Sequence, residues 1–240
     1  VLRKSRASVG AADAGAGAAH DLPKKPRISI WDGLRPNFMK FHVAGAFVTS
    51  LVYAQHQSTL SQSLFAREGD AGLSLYALLM TINGVTAVVF QMPMNALSRR
   101  IGLRAGLVAG HLCYVLGFLG FALPTGMPWF PCLAMFVFTL GEVLCVLNVG
   151  AVPIFASSAA DRGRYLGAAQ LGHAGGGLGP MLGGVLLATL GVRDVWFAVA
   201  GLVSLAVVLH LEALRSLARR QNVSPEAAPL SPFKPKEAVA

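Results

Sequence analysis

Glu142, in the segment TLGEVL, is the acidic residue set deep inside an apolar stretch, whereas Glu212 stands near the end of another. Burying a carboxylate in hydrocarbon costs at least about 2.5 kcal/mol even on a permissive insertion scale, so the group must be protonated, paired or turned towards water. A carboxyl that low dielectric keeps neutral is suited to loading and releasing a proton. The alternative is a neutral carboxyl that hydrogen-bonds a neighbouring helix for structure. His173 lies at a similar depth in the next apolar stretch and is the second candidate for proton handling; it too can serve instead as an interhelical hydrogen bond. Thr49, Tyr53, His56 and Gln57 fall at i, i+4, i+7 and i+8, on one face of a helix. A polar face on a membrane helix looks at protein or a wet cavity, so Tyr53 and Gln57, with Asn148, are candidates to line one. Asn83, Gln91 and Gln170 read as amides that hold helices together. Other chemistry finds no footing: the chain has no HExxH, no CxxC and no GxSxG. No catalytic residue, metal or cofactor is expected, and the chain is not read as an enzyme.

Six apolar stretches must position these residues. The 240 residues are 54% hydrophobic and only 13% charged, about half the charge of a soluble domain. The stretches lie near Phe41–Leu60, Leu73–Leu97, Leu103–Leu123, Trp129–Ala156, Tyr165–Val192 and Val195–Leu214. The fifth runs 28 residues without Asp, Glu, Lys or Arg, and about 20 suffice to cross the hydrocarbon core. It carries GHAGGGLGPMLGG over Gly172–Gly184. In water each mid-helix glycine costs about 1 kcal/mol against alanine; in lipid no water competes for the backbone, so the helix persists. Gly172 and Gly176, Gly175 and Gly179, and Gly179 and Gly183 are four apart, and predict a smooth strip against which another helix can pack closely. Pro180 predicts a bend. A phosphate-binding loop would need GK[ST] after a strand, and neither is present. Cys113, Cys132 and Cys145 sit in or beside apolar stretches, as small packing residues do.

The fold expected is all-α: a polytopic bundle of six transmembrane helices over 37–216, preceded by a disordered basic linker at 1–36 and followed by a cytoplasmic tail at 217–240. The net charge of +9 belongs to the loops. Eighteen of the 20 Lys and Arg residues fall on one set of loops and the termini, leaving Arg67 and Arg193 on the other. The positive-inside rule then puts both termini in the cytoplasm. The partner is therefore a lipid bilayer, not nucleic acid, since basic and aromatic residues do not interleave.

Six spans, a basic loop after the second and GxxxGPxxGG in the fifth together resemble one six-helix half of a major facilitator superfamily (MFS) transporter. Gly175, Gly179, Pro180, Gly183 and Gly184 match the family's antiporter motif. NALSRRIGLR is similar to its GxLxDRxGRR loop: Leu97, Arg100, Gly102 and Arg104 match, while Asn95, Arg99 and Leu103 depart from it. Gly141–Glu142 in the fourth span resembles the tenth helix of many bacterial drug/proton antiporters, and the fourth span lacks the Arg of the N-terminal half. The resemblance implies the C-terminal half, family helices seven to twelve, in the bacterial inner membrane. It further implies alternating access, a small-molecule substrate, proton-coupled efflux, and a missing N-terminal half or a second copy as partner. The alternative is a truncated, non-transporting membrane protein that assembles with a partner half.

Overall fold

A computed structural model describes residues 29–123, 127 and 129–223. The basic linker up to residue 28, residues 124–126 and 128, and the tail from 224 lie outside the described residues. Every regular element among the described residues is helical: α1 Ile30–Gly33, α2 Asn37–Gln57, α3 Thr59–Glu68, α4 Asp70–Phe121, α5 Trp129–Phe155, α6 Arg162–Ala169 and α7 Ala174–Val223, with a 3-10 turn at Gln170–His173. Three stretches are long and apolar enough to cross a membrane: Asp70–Phe121, Trp129–Phe155 and Arg162–Asn222. α2 is the polar member of the bundle, with His42, Thr49, Gln55 and His56 all buried.

A straight α4 of 52 residues would be about 78 Å long at 1.5 Å per residue. Instead it reverses at Gly102, where φ 80° and ψ 166° leave the helical region. The contacts trace the reversal. Asn83 meets Thr139 and Glu142 on α5, and Ser98 meets Asn148 further along, so the first half of α4 runs parallel to α5. Beyond Gly102 the order inverts: Gly106 lies against Asn148, Gly110 against Cys145, Gly117 against Phe138 and Gly120 against Ala134. A left-handed φ costs glycine no Cβ clash, which is why glycine holds this position.

α7 reverses in the same way at Gly191, with φ 83°. Together with the 3-10 turn before it, its first half runs parallel to α2 and the start of α3, from Gly172 on Ala46 to Gly183 on Gln55 and Thr59. Its second half returns antiparallel, with His210 against Gly45 and Leu217 in a cluster with Phe38 and Met39. α6, the 3-10 turn and the first half of α7 stay in right-handed helical conformation at their junctions, so they form one rod. α3 continues α2 past Ser58, whose Oγ donates to Ala54 O at 2.9 Å.

Two apolar clusters close the ends. In one, Phe118 stacks on Trp196 with centroids 5.9 Å apart, and Tyr114, Phe121 and Phe138 surround them. In the other, Phe38 meets Tyr165 edge-on, and Arg220 donates to Tyr165 Oη at 2.9 Å. The outer face is apolar as well. Val88, Met92 and Met181 are 70% or more exposed, as befits a surface solvated by lipid rather than water.

Arg67, near the end of α3, ties the end of α4 to the reversal at Gly191. Its Nη1 donates to Phe121 O at 3.2 Å and Leu123 O at 3.1 Å, and its Nη2 to Val192 O at 2.5 Å. Those carbonyls belong to the end of α4 and to the residue after Gly191. Hydrogen bonds to a charged donor contribute about 1.5–3 kcal/mol each when buried; partial exposure here lets water replace some of that. Arg67→Met is expected to cost about 2 kcal/mol in all, read as a lower midpoint of thermal unfolding in detergent. An unchanged midpoint would show that the clasp carries no stability.

Candidate functional site

Glu142 sits in mid-α5, half-buried. Tyr53 Oη, on α2, donates to Oε1 at 2.9 Å, and Asn83 Nδ2, on the first half of α4, donates to Oε2 at 2.7 Å. Asn83 Nδ2 also donates to Thr139 Oγ1 at 2.9 Å, one turn before Glu142. Thr139 in turn donates to Met135 O at 2.8 Å. Each carboxyl oxygen thus has a hydrogen-bond partner from a different helix. Among the described residues no cation pairs with it. Protonation would put a hydrogen on one oxygen. An amide N–H cannot take it, but a phenol can turn and accept, so Tyr53 is the partner able to follow the proton.

Tyr53 also faces a cavity of about 420 Å³ between α2, α5 and the rod that begins with α6. His42, Thr49 and Ser50 line it from α2, Val146 and Val149 from α5, and Gln170 and His173 from the 3-10 turn. None of its lining residues is an Asp, Glu, Lys or Arg. His56 lies between Tyr53 and Phe138, its ring tilted to both at 4.5 and 4.8 Å between centroids, and its Nδ1 lies 2.6 Å from Tyr53 O.

The remaining candidates are placed as follows. His173 is exposed at the cavity edge, while Glu142 bonds to Tyr53 and Asn83. Gln57 is exposed and outside the cavity lining; its carbonyl accepts from Tyr76 Oη at 2.9 Å. Asn148 is buried outside the cavity. It accepts from Ser98 Oγ at 2.9 Å, donates to Leu144 O at 2.8 Å and fills the space left by Gly106. Leu97, Arg100 and Arg104 are exposed around the reversal at Gly102, and Leu103 is buried.

Within the glycine motif, Gly175, Gly179 and Gly183 face α2 and α3, where an added Cβ would strike Phe47 O, Ala54 Cβ and Thr59 Oγ1 respectively. Gly184 faces open space, and Pro180 is exposed. Gln55 completes this contact. Its Nε2 donates to Leu51 O at 2.8 Å and across to Gly179 O at 2.9 Å, and its Oε1 accepts from Thr59.

Sequence reasoning missed three features: Asn83 as the partner of Glu142, Gln55 at the glycine strip, and a meeting of His42, His111 and His210. The signal for the last was the rarity of imidazole in apolar helices. No group of three or more His, Cys, Asp or Glu side chains among the described residues could hold a metal ion.

The sequence profile of the Major Facilitator Superfamily matches residues 43–239. The chain is 24% identical over 192 residues to the uncharacterized MFS-type transporter YdeE of Escherichia coli (strain K12), covering 78% of this chain and 49% of that protein. It is 29% identical over 189 residues to the uncharacterized MFS-type transporter YttB of Bacillus subtilis (strain 168), covering 75% and 46%. YqjV of the same Bacillus, also an uncharacterized MFS-type transporter, is 24% identical over 151 residues, covering 62% and 36%. The chain thus spans about half the length of the first two relatives.

Proposed function

The chain belongs to the Major Facilitator Superfamily, and from that premise we propose that it is the C-terminal six-helix half of a secondary transporter that exports a small molecule against inward proton flow. Six crossings follow if the helical runs 37–68, 70–101, 103–121, 129–155, 162–190 and 192–223 each span the bilayer, with the reversals at Gly102 and Gly191 on opposite sides. The basic loops then put both ends in the cytoplasm, at the inner membrane of a bacterium. A second six-helix bundle, from the same polypeptide or a second copy, would close the cavity from the other side, with substrate bound near the midplane.

The observation that carries this reading is the double engagement of Tyr53. Its hydroxyl holds Glu142, and its ring forms part of the cavity wall. Substrate against that ring and a proton on Glu142 would compete for one side chain's position. That is the coupling an antiporter needs, and a relation between binding sites runs both ways. The uncharged wall, largely apolar with a few hydroxyl, amide and imidazole groups, suits an amphipathic substrate.

The test is transport by the full-length protein in proteoliposomes, with and without a pH gradient, over a panel of lipophilic cations and neutral amphiphiles. Uptake of at least one compound should depend on the gradient and collapse with a proton ionophore. Transport indifferent to the gradient would overturn proton coupling.

A further inference from the structure

We propose that His42, His111 and His210 form a second proton-binding site, in which His111 and His210 meet at Thr49, one helical turn from Tyr53. It rests on the transporter reading for its role, though not for its existence. The three rings come from α2, the second half of α4 and the second half of α7, and each is no more than 1% exposed. His210 lies 5.6 Å from His42 and 5.2 Å from His111, between ring centroids. Its seat is built: a Cβ on Gly45 would come within 3.0 Å of its Nδ1.

Counting hydrogens shows what is missing. His111 Nδ1 lies 2.8 Å from Leu107 O, which can only accept, so Nδ1 carries the hydrogen and the neutral ring presents a bare Nε2. That Nε2 is 3.0 Å from Thr49 Oγ1. Thr49 has one hydrogen, yet its Oγ1 is also 2.9 Å from Gly45 O. Meanwhile His210 Nε2 stands 3.3 Å from the same hydroxyl and, as a donor to it, leaves His210 Nδ1 with nothing to accept. His42 Nδ1 is likewise buried without a partner. Neutral, the cluster has more acceptors than hydrogens. One added proton on His111 Nε2 lets that ring donate to Thr49 and frees Thr49 to donate to Gly45 O.

The route is open, because Thr49 and His42 both line the cavity. A hydronium ion entering the cavity gives its proton to Thr49 Oγ1, which passes its own hydrogen to His111 Nε2. One N–H bond forms at the ring, and the donor is left as water. The titratable groups nearby are few. Tyr114 lies beside His111, and Cys145 Sγ faces it from α5 at 3.5 Å. Tyr53 and Glu142 hold each other, Glu212 pairs with Arg215, and His173 stands elsewhere on the cavity lining. No hydrogen bond or ion pair joins the three rings to a charged side chain among the described residues.

The experiment is nitrogen NMR of the full-length protein, labelled at histidine, in lipid nanodiscs, from about pH 8 down to about pH 4. His111 and His210 should move together as one coupled step, assigned by single His→Asn variants. Thr49→Val should split that step and lower its midpoint by about one pH unit, while Thr49→Ser restores it. Rings that stay neutral throughout, or titrate independently in the wild type, would overturn the proposal. Because the readout is protonation and not transport, its failure leaves proton-coupled export standing, and loss of pH-driven transport leaves the site standing.

Discussion

Gly175→Ala is expected to lower stability by about 3 kcal/mol, while Gly184→Ala in the same motif leaves it unchanged or slightly higher. The two substitutions add the same single carbon to the same helix. At Gly175 that carbon falls on the carbonyl of Phe47, a backbone atom of α2 that cannot rotate away, and comes 3.1 Å from Leu51 N. At Gly184 it meets nothing within 4 Å. Forcing a methyl into a filled contact costs about 1–3 kcal/mol, and the upper end applies where the obstacle is main chain. At Gly184 only the helix preference for alanine acts, worth up to about 1 kcal/mol in its favour. The measurement is unfolding by SDS or heat in mixed micelles, with Gly179→Ala as a third point. Its Cβ would strike Ala54 Cβ and come 2.9 Å from Leu51 O, so it should behave like Gly175. Equal stability of the Gly175 and Gly184 variants would show that the strip does not set the approach of α2.

The glycine strip was legible because helical pitch alone turns a spacing of four into a stripe. What pitch cannot say is which neighbour the stripe meets, nor that the amide bridging there is Gln55. The polar face of α2 was read from Thr49, Tyr53 and Gln57 at intervals of four, yet a face spans a wide arc. Thr49 and Tyr53 point into the bundle, whereas Gln57 lies at the last turn and is exposed. Glu142 stood out by composition, since a lone acid in an apolar helix is costly wherever it sits. Its partners did not stand out: Asn83 lies 59 residues away and Tyr53 lies 89 away, and only the rotation of three helices brings them together. The histidine cluster was the least legible. His42 and His210 lie towards the ends of their apolar stretches and His111 near the middle of its own, and what distinguishes the three is a count of hydrogens that needs coordinates. The boundaries were set by local chemistry. Gly102 and Gly191 end helices by adopting a positive φ, which a glycine in the sequence permits but does not announce.

Glu142→Gln in the full-length protein is expected to reduce pH-driven transport to the level of empty liposomes while leaving substrate exchange without a gradient intact. The variant keeps the shape of the protonated acid. Its carbonyl can accept from Asn83 Nδ2, and its amide can donate to Tyr53 Oη, which turns to accept. The packing around Thr139 and Phe138 is then undisturbed, so the protein should fold and still bind from either side. What it loses is the second protonation state, and a carrier fixed in one state cannot take energy from a proton gradient, because only a difference in affinity between states shifts the equilibrium. Exchange needs only the loaded carrier to reorient, so it survives. Two measurements on one preparation decide the matter: uptake driven by an imposed pH gradient, and counterflow of labelled against unlabelled substrate at equal pH. Loss of both would mark a folding or binding defect, for which Tyr53→Phe is the comparison, since it removes one hydrogen bond to Glu142 and keeps the acid. Retention of both would remove Glu142 from the proton path and leave two imidazole sites still able to carry the charge: His173 on the cavity wall, and the buried cluster reached from it through Thr49 and His42.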